Sequence, residues 1–553
     1  MDFRSLASDK GKTPTAVDQK VIEKILGIPG HTSCVYYVGV VDDKGAPQFD
    51  ESHTVNLSPL VSASVVNKNN LFGIGSITKT IIATALGFIV EEPRTLQNQP
   101  PDVQRIVEGA WCESAFGVLN RLRLARKLPT LTPPYRLNPS VKELLLHIQA
   151  FAPDQRYLFG PEGSFLMSDK VFEEIIADLG NRVDETPTPN ASYSNWNYVI
   201  AAMIIKDTMG TSLPEALKTL VLEPLGMERT VLDLDEFSER EWEMAEAFID
   251  TIDRGCRRVS RRPCYLRDTT ELAVGGGYSC VEDIAKLLKF LFKKLIKKQW
   301  KGFFDAHEFE INTSESWTSV LGNYGPLDSQ VVGMQSYDRT GQTGSYQLGK
   351  LNGESHDVIS KAGAVKGYSC HHYIVPRKGL FVIVLTNSSG IIDTSNHIGQ
   401  YILQQTLGLE PAVDFVKEAR KIYNSRREYL SKSKHTGIRS NYGVFSPDEL
   451  RSLVGVFKHE MSRQRITISH KNRKAEIFID GMSSTDQRRT RSLEMFKVSE
   501  NTMTLRPLSG ETTIDGYDAW FDLEFKIQKE EGRVSALVIE SSASQKDVYE
   551  RVP

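Results

Sequence analysis

Ser76 and Lys79 stand three residues apart in Leu71-Phe72-Gly73-Ile74-Gly75-Ser76-Ile77-Thr78-Lys79, a glycine-punctuated approach to an apolar run. On a helix, residues three apart share a face, so the hydroxyl and the amine can meet. At a helix N-terminus the backbone N–H groups are free and the dipole favours negative charge. A nucleophilic oxygen, an amine and a positive helix end are the parts of an acyl-transfer site. The spacing alone is weak, because Ser431 and Lys434 repeat it in a charged, non-periodic stretch. What sets Ser76 apart is the glycine-rich approach, the apolar helix behind it and the partners that follow.

Several elements must position those partners. Val17–Leu26 is amphipathic, and Val35–Val41 followed by Asp42-Asp43-Lys44-Gly45 reads as a hairpin. The helix Ile77–Glu92 is apolar on nearly all sides and should be buried. Further helices are expected at Val103–Arg126, after Asn138-Pro139 with Asn138 as cap, at Tyr198–Lys206, at Pro214–Leu222 and at His397–Thr406. Ser279–Glu282 and Ser446–Glu449 read as capping boxes. Tyr368–Val375 and Gly379–Thr386 read as strands around Pro376. Residues 410–446 are charged and read as a helical linker; from 447 to 553 short strand-like runs alternate with polar turns.

The 553 residues are too many for one core, so roughly two to four folding units are expected. A net charge of −3 gives no electrostatic case for nucleic acid or an anionic membrane. The six cysteines lack zinc-ligand spacing and are too sparse for a disulfide scaffold, so no metal or cofactor is expected. With no signal core at Met1–Lys10 and no spanning apolar stretch, the expectation is a soluble cytoplasmic protein.

Gly75-Ser76-Ile77-Thr78-Lys79 resembles the nucleophile motif of the serine β-lactamase and penicillin-binding protein superfamily, nearest its class C-related branch of esterases, acyltransferases and D-aminopeptidases. Tyr193-Ser194-Asn195 matches that branch's second motif, Tyr-x-Asn, and Lys361-Ala362-Gly363 occupies the third. The blocks Glu223-Pro224-Leu225-Gly226-Met227 and Gly275-Gly276-Gly277-Tyr278 fall in the same order. The resemblance implies an α+β fold: an antiparallel sheet flanked by helices, with an all-helical subdomain, over residues 30–409. Residues 1–29 would be an extension, 410–446 a linker and 447–553 a small lipocalin-like antiparallel barrel. Ala362 departs from the Thr or Ser of penicillin-recognising members, which points away from β-lactams.

The resemblance also implies roles. Ser76 attacks a carbonyl carbon, and Lys79 and Tyr193 share the general-base work. Tyr193 then protonates the leaving group. Asn195 bridges Lys79 and substrate. The N–H groups of Ser76 and Ala364, beside Gly363, form the oxyanion hole. Lys361 binds a carboxylate or tunes the field. The implied activity is a serine hydrolase of secondary metabolism, acting on a small-molecule ester, thioester or amide. Two alternatives stand beside it: an acyltransferase fed by a carrier-bound or CoA thioester, and an inactive scaffold. Other features read as structural: the triple glycine as a tight turn, His371-His372 as a pair without metal, Asp283 as part of a capped helix. Trp196, Tyr198, Tyr346 and Tyr368 could either line a pocket or pack the core.

Overall fold

The computed structural model describes residues 17–553 apart from 58–64, 150, 152–157, 159–166, 182–192, 233–238, 241–242, 252–254, 260–268, 271, 305–316, 320, 327–347, 433–442, 472–473, 481–492, 508–519, 521–522 and 541–545. Tyr346 and the turn-rich residues 187–192 lie outside the described residues.

The largest open sheet has seven antiparallel strands. They are β1 (Ser33–Val41), β2 (Pro47–Asn56), β3 (Trp317–Ser319), β4 (Gly322–Pro326), β5 (Asp357–Val365), β6 (Tyr368–Val375) and β7 (Leu380–Thr386), in the order β2-β1-β7-β6-β5-β4-β3. The central strands β1, β7 and β6 are buried almost throughout because both faces are covered. Val35, Tyr37, Phe381, Ile383 and Leu385 face the larger core with helix α2 (Thr78–Glu91). Tyr36, Val38, Val382 and Val384 face the smaller one, under α1 (Gln19–Gly27) and the later helix Thr394–Leu407.

Helix α2 is buried at every position from Thr78 to Val90, as its all-round apolar pattern requires. The expected helix Val103–Arg126 is instead two, Pro101–Val107 and Ala115–Ala125. Gly109, in the left-handed region at φ +67°, turns the chain between them, and Ser114 caps the second. Helix α3 (Val141–Leu145) is capped by Ser140 in a capping box with Glu143, rather than by Asn138. The helix after Ser279, Val281–Ile296, receives no side-chain cap bond; Ser279 Oγ bonds Thr230 Oγ1 instead. Asp283 holds the backbone N–H of Arg229 and the Thr230 hydroxyl, a structural role.

After α4 (Asp169–Asn181) and α5 (Asn195–Met209), the chain passes through the Glu223-Pro224-Leu225 block to a left-handed glycine at Gly226. The charged segment carries the helix Phe415–Lys432. Beyond it, the Ser446 capping box is formed with Glu449. Eight antiparallel strands then close a barrel from Gly455 to Arg551. Its interior is filled by Trp520, Phe457, Ile466, Leu505, Leu537 and Tyr549 among others.

Candidate active site

Ser76 sits in a single 3-10 turn, Gly75–Ile77, that leads straight into α2. The approach is shaped by two glycines. Gly75 has φ +48°, and a Cβ there would stand 2.5 Å from Ala364 N. A Cβ on Gly363 would stand 2.1 Å from Ile74 O. The nucleophile loop and β5 therefore pack backbone to backbone, and any side chain at either position would separate them. Cys370 Sγ, on the neighbouring strand β6, lies 3.1 Å from Gly363 O and 3.3 Å from Ile74 O, linking the two pieces. The triple glycine forms the expected tight turn: Gly277 N donates to Thr78 Oγ1 at 3.0 Å, and Ile74 N donates to Gly277 O.

Tyr193 and Lys79 converge on Ser76 from different elements. Tyr193 OH is 2.7 Å from Ser76 Oγ, and Lys79 Nζ donates to the same oxygen at 3.0 Å. Lys79 also donates to Val274 O. Asn195, at the start of α5, is not among its partners; Asn195 Oδ1 is buried without a hydrogen bond among the described residues. Lys79 thus bonds Ser76 and the Val274 carbonyl, and the expected contact with Asn195 is not among its bonds.

Lys361 arrives from β5, and its ammonium lies 5.7 Å from the Tyr198 ring centroid, as does that of Lys79. Neither lysine has an ion-pair partner among the described residues. Burial, then the charge of Lys361, hold the Lys79 amine well below the usual lysine range. Burial pushes Lys361 down to about 8. An amine with a depressed proton affinity, bonded to a hydroxyl, can take that hydroxyl's proton.

Two residues at this site escaped the sequence reading. Val274 carries only a backbone carbonyl, which no side-chain pattern signals. His147, in the turn after α3, lies against Tyr193 with ring centroids 4.4 Å apart. It is 46 residues from Tyr193 in the chain and belongs to no spacing motif, so only folding brings it there. Of the aromatic candidates, Trp196 is buried and stacked on Phe172, Tyr368 bonds Ala245 O from the core, and Tyr198 bonds Leu145 O while its ring meets both lysines. His372 Nε2 lies 3.4 Å from Leu321 O, and His371 stacks on Tyr373.

The β-lactamase family profile matches residues 30–406, more than half of the chain. The chain belongs to the β-lactamase family. Its fold is similar to that of the octameric penicillin-binding protein homologue from Pyrococcus abyssi, at TM-score 0.50 and 17% identity over 96% of this chain and 98% of that one. It is also similar to a class C β-lactamase from Rhodobacter sphaeroides, at TM-score 0.51 and 16% identity over 70% of this chain and 98% of that one. The first likeness runs on into the barrel. A curated relative, the unguisins hydrolase UngD' of Aspergillus campestris, is 19% identical over 84% of this chain and 79% of its own length. As a member of this serine-hydrolase family, the chain carries a hydrolase fold with its motif residues assembled. No described helix is long and apolar enough to cross a membrane.

Proposed function

We propose that the protein hydrolyses an amide, ester or thioester of a small molecule through an acyl-enzyme on Ser76. The observation that carries this reading is the double engagement of one oxygen: Ser76 Oγ is bonded by both Tyr193 OH and Lys79 Nζ. The Lys79 amine, its proton affinity lowered by burial and by Lys361, acts together with Tyr193 to draw off the Ser76 proton as Oγ attacks the carbonyl carbon. The developing oxyanion is received by the N–H groups of Ser76 and Ala364, a contribution of about 3–4 kcal/mol per donor in related sites. Tyr193 returns the proton to the leaving group. Water, activated by the same pair, then releases the acid and restores Ser76. Asn195, with its uncommitted Oδ1, orients the substrate. Lys361 places a cation, without a counter-ion among the described residues, beside the site, where it suits a substrate carboxylate.

Water as the second substrate is favoured by the likeness to a relative named as a hydrolase. A role in secondary metabolism, in the cytoplasm, is part of the same reading. A fluorophosphonate probe followed by peptide mass spectrometry tests the acyl-enzyme. Modification of Ser76 is expected; an unlabelled wild type, indistinguishable from Ser76→Ala, would favour an inactive scaffold. Turnover of activated esters with and without added alcohol or amine separates the outcomes. Free acid alone is expected, and a conjugate with the acceptor would identify an acyltransferase.

A further inference from the structure

His147 is the one histidine in contact with the Ser76 centre among the described residues, and no motif assigns it. Its backbone is in the left-handed region at φ +57°, a conformation that a non-glycine residue keeps only when its surroundings hold it there. Here α5 holds it: Tyr198 OH donates to Leu145 O at 3.1 Å, and Asn197 Nδ2 donates to Ile148 O at 3.4 Å. The His147 ring then reaches back to the residues just ahead of α5. Nδ1 lies 3.1 Å from both the N–H and the carbonyl oxygen of Ser194, and the ring packs on Tyr193.

The two Ser194 contacts require opposite tautomers, and one of them wins. The Ser194 N–H has a fixed direction and no other acceptor among the described residues, whereas a carbonyl tolerates an unmade bond better than a buried N–H does. Nδ1 is therefore the acceptor and Nε2 carries the proton. Burial, Lys361 and Lys79, in that order, oppose a second proton on the ring, and the Ser194 carbonyl only partly offsets them.

We propose that His147 is the positioning residue for Tyr193, fixing the Tyr193–Ser194 segment through Nδ1 so that the phenol meets Ser76. This rests on the reading of Ser76 as the acylated residue.

Two variants separate the hydrogen bond from packing. His147→Asn sets Oδ1 near the place of Nδ1 and tolerates a left-handed backbone; His147→Phe keeps a ring and removes the acceptor. With an activated ester, and rates normalised to titrated Ser76 sites, the Phe variant should lose about 100-fold in acylation rate, the scale of a misplaced catalytic group. The Asn variant should stay within several-fold of wild type. The reverse order, or equal loss in both, would overturn the proposal. Normalisation removes a merely structural effect, which would lower the titrated fraction and not the rate per site. The imidazole ¹⁵N spectrum of the full-length protein decides the point even for a wild type that no probe acylates, so failure of the acyl-enzyme reading stays distinguishable. An unprotonated Nδ1 at neutral pH is expected; a protonated Nδ1 would refute the inference.

Discussion

Ser76 and Ser462 each lie against a basic side chain, and they differ in every respect that matters for reactivity. In the barrel, Ser462 Oγ lies 2.9 Å from His459 Nδ1, and His459 Nε2 lies 3.4 Å from Asp547 Oδ1. These are the residue types of a hydrolytic triad. Yet Ser462 is 0% exposed, and its own backbone N–H donates to His459 Nδ1 at 3.0 Å. The lone pair that would take the hydroxyl proton is already engaged by the backbone. Gln464, bonded by Tyr549 OH, completes a closed network between the first barrel hairpin and the last strand, Lys546–Arg551. Around Ser76 the balance is opposite. Among the described residues Lys79 and Lys361 have no counter-ion and Asn195 Oδ1 has no partner, and Ser76 keeps 6% exposure. A satisfied polar network specifies a fold, whereas groups left unsatisfied on a rigid frame are available to a substrate.

Replacing each serine by alanine is the sharpest way to break this contrast. Ser76→Ala should abolish turnover, by roughly 10⁴- to 10⁶-fold, measured as activated-ester hydrolysis. Ser462→Ala should leave the rate per site unchanged and lower stability by about 1–2 kcal/mol, read from denaturant midpoints. Equal effects on activity would erase the distinction. Next in size, Tyr193→Phe should cost about 10²- to 10⁴-fold in acylation rate with folding intact. Asp547→Asn, its counterpart in the barrel, should shift only the unfolding transition.

A smaller effect follows from Lys361. Its ammonium is charged below pH of about 8 and neutral above it. For a carboxylate-bearing substrate, kcat/KM should therefore fall as pH rises through that value. The fall should vanish in Lys361→Met, and a neutral substrate should not show it. The smallest effect concerns the stability of the sheet and its flanking elements. Burial holds His31 and His372 down to about 3 and His397 to about 4, all below the ordinary 6.5. The unfolded chain binds these protons first, so the stability contributed by the neutral rings is complete above pH 6.5. It is lost as pH falls from there towards 3. Urea midpoints should decline over that window, while Ser76 labelling measured at pH 7 after return from mild acid should be unchanged.

The legible parts of the molecule were those governed by local rules. The buried helix behind Ser76 was readable because an all-round apolar helix has nowhere else to go. Strands β6 and β7 were readable because β-branched runs flank Pro376 and Gly379, and the Ser446 capping box because its partners are three residues apart. Caps at Asn138 and Ser279 were misread because competing polar residues nearby, Ser140 and Thr230, offered better geometry in three dimensions. The long helix at 103–126 was misread because its apolar period continues across Gly109, where the backbone does not.

By itself the sequence determined the family, the antiparallel sheet with its flanking helices, and the identity of Ser76, Lys79, Tyr193 and Lys361 as residues belonging to one site. Motifs spaced along a chain carry that information because each is set by its own local backbone. Only the tertiary structure decided which bonds those residues make. Lys79 turns to the Val274 carbonyl rather than Asn195, His147 comes under Tyr193 from a distant turn, and the Ser462 network closes on itself. Those outcomes depend on backbone carbonyls, burial and the absence of counter-charges, quantities that exist only once distant segments are packed together.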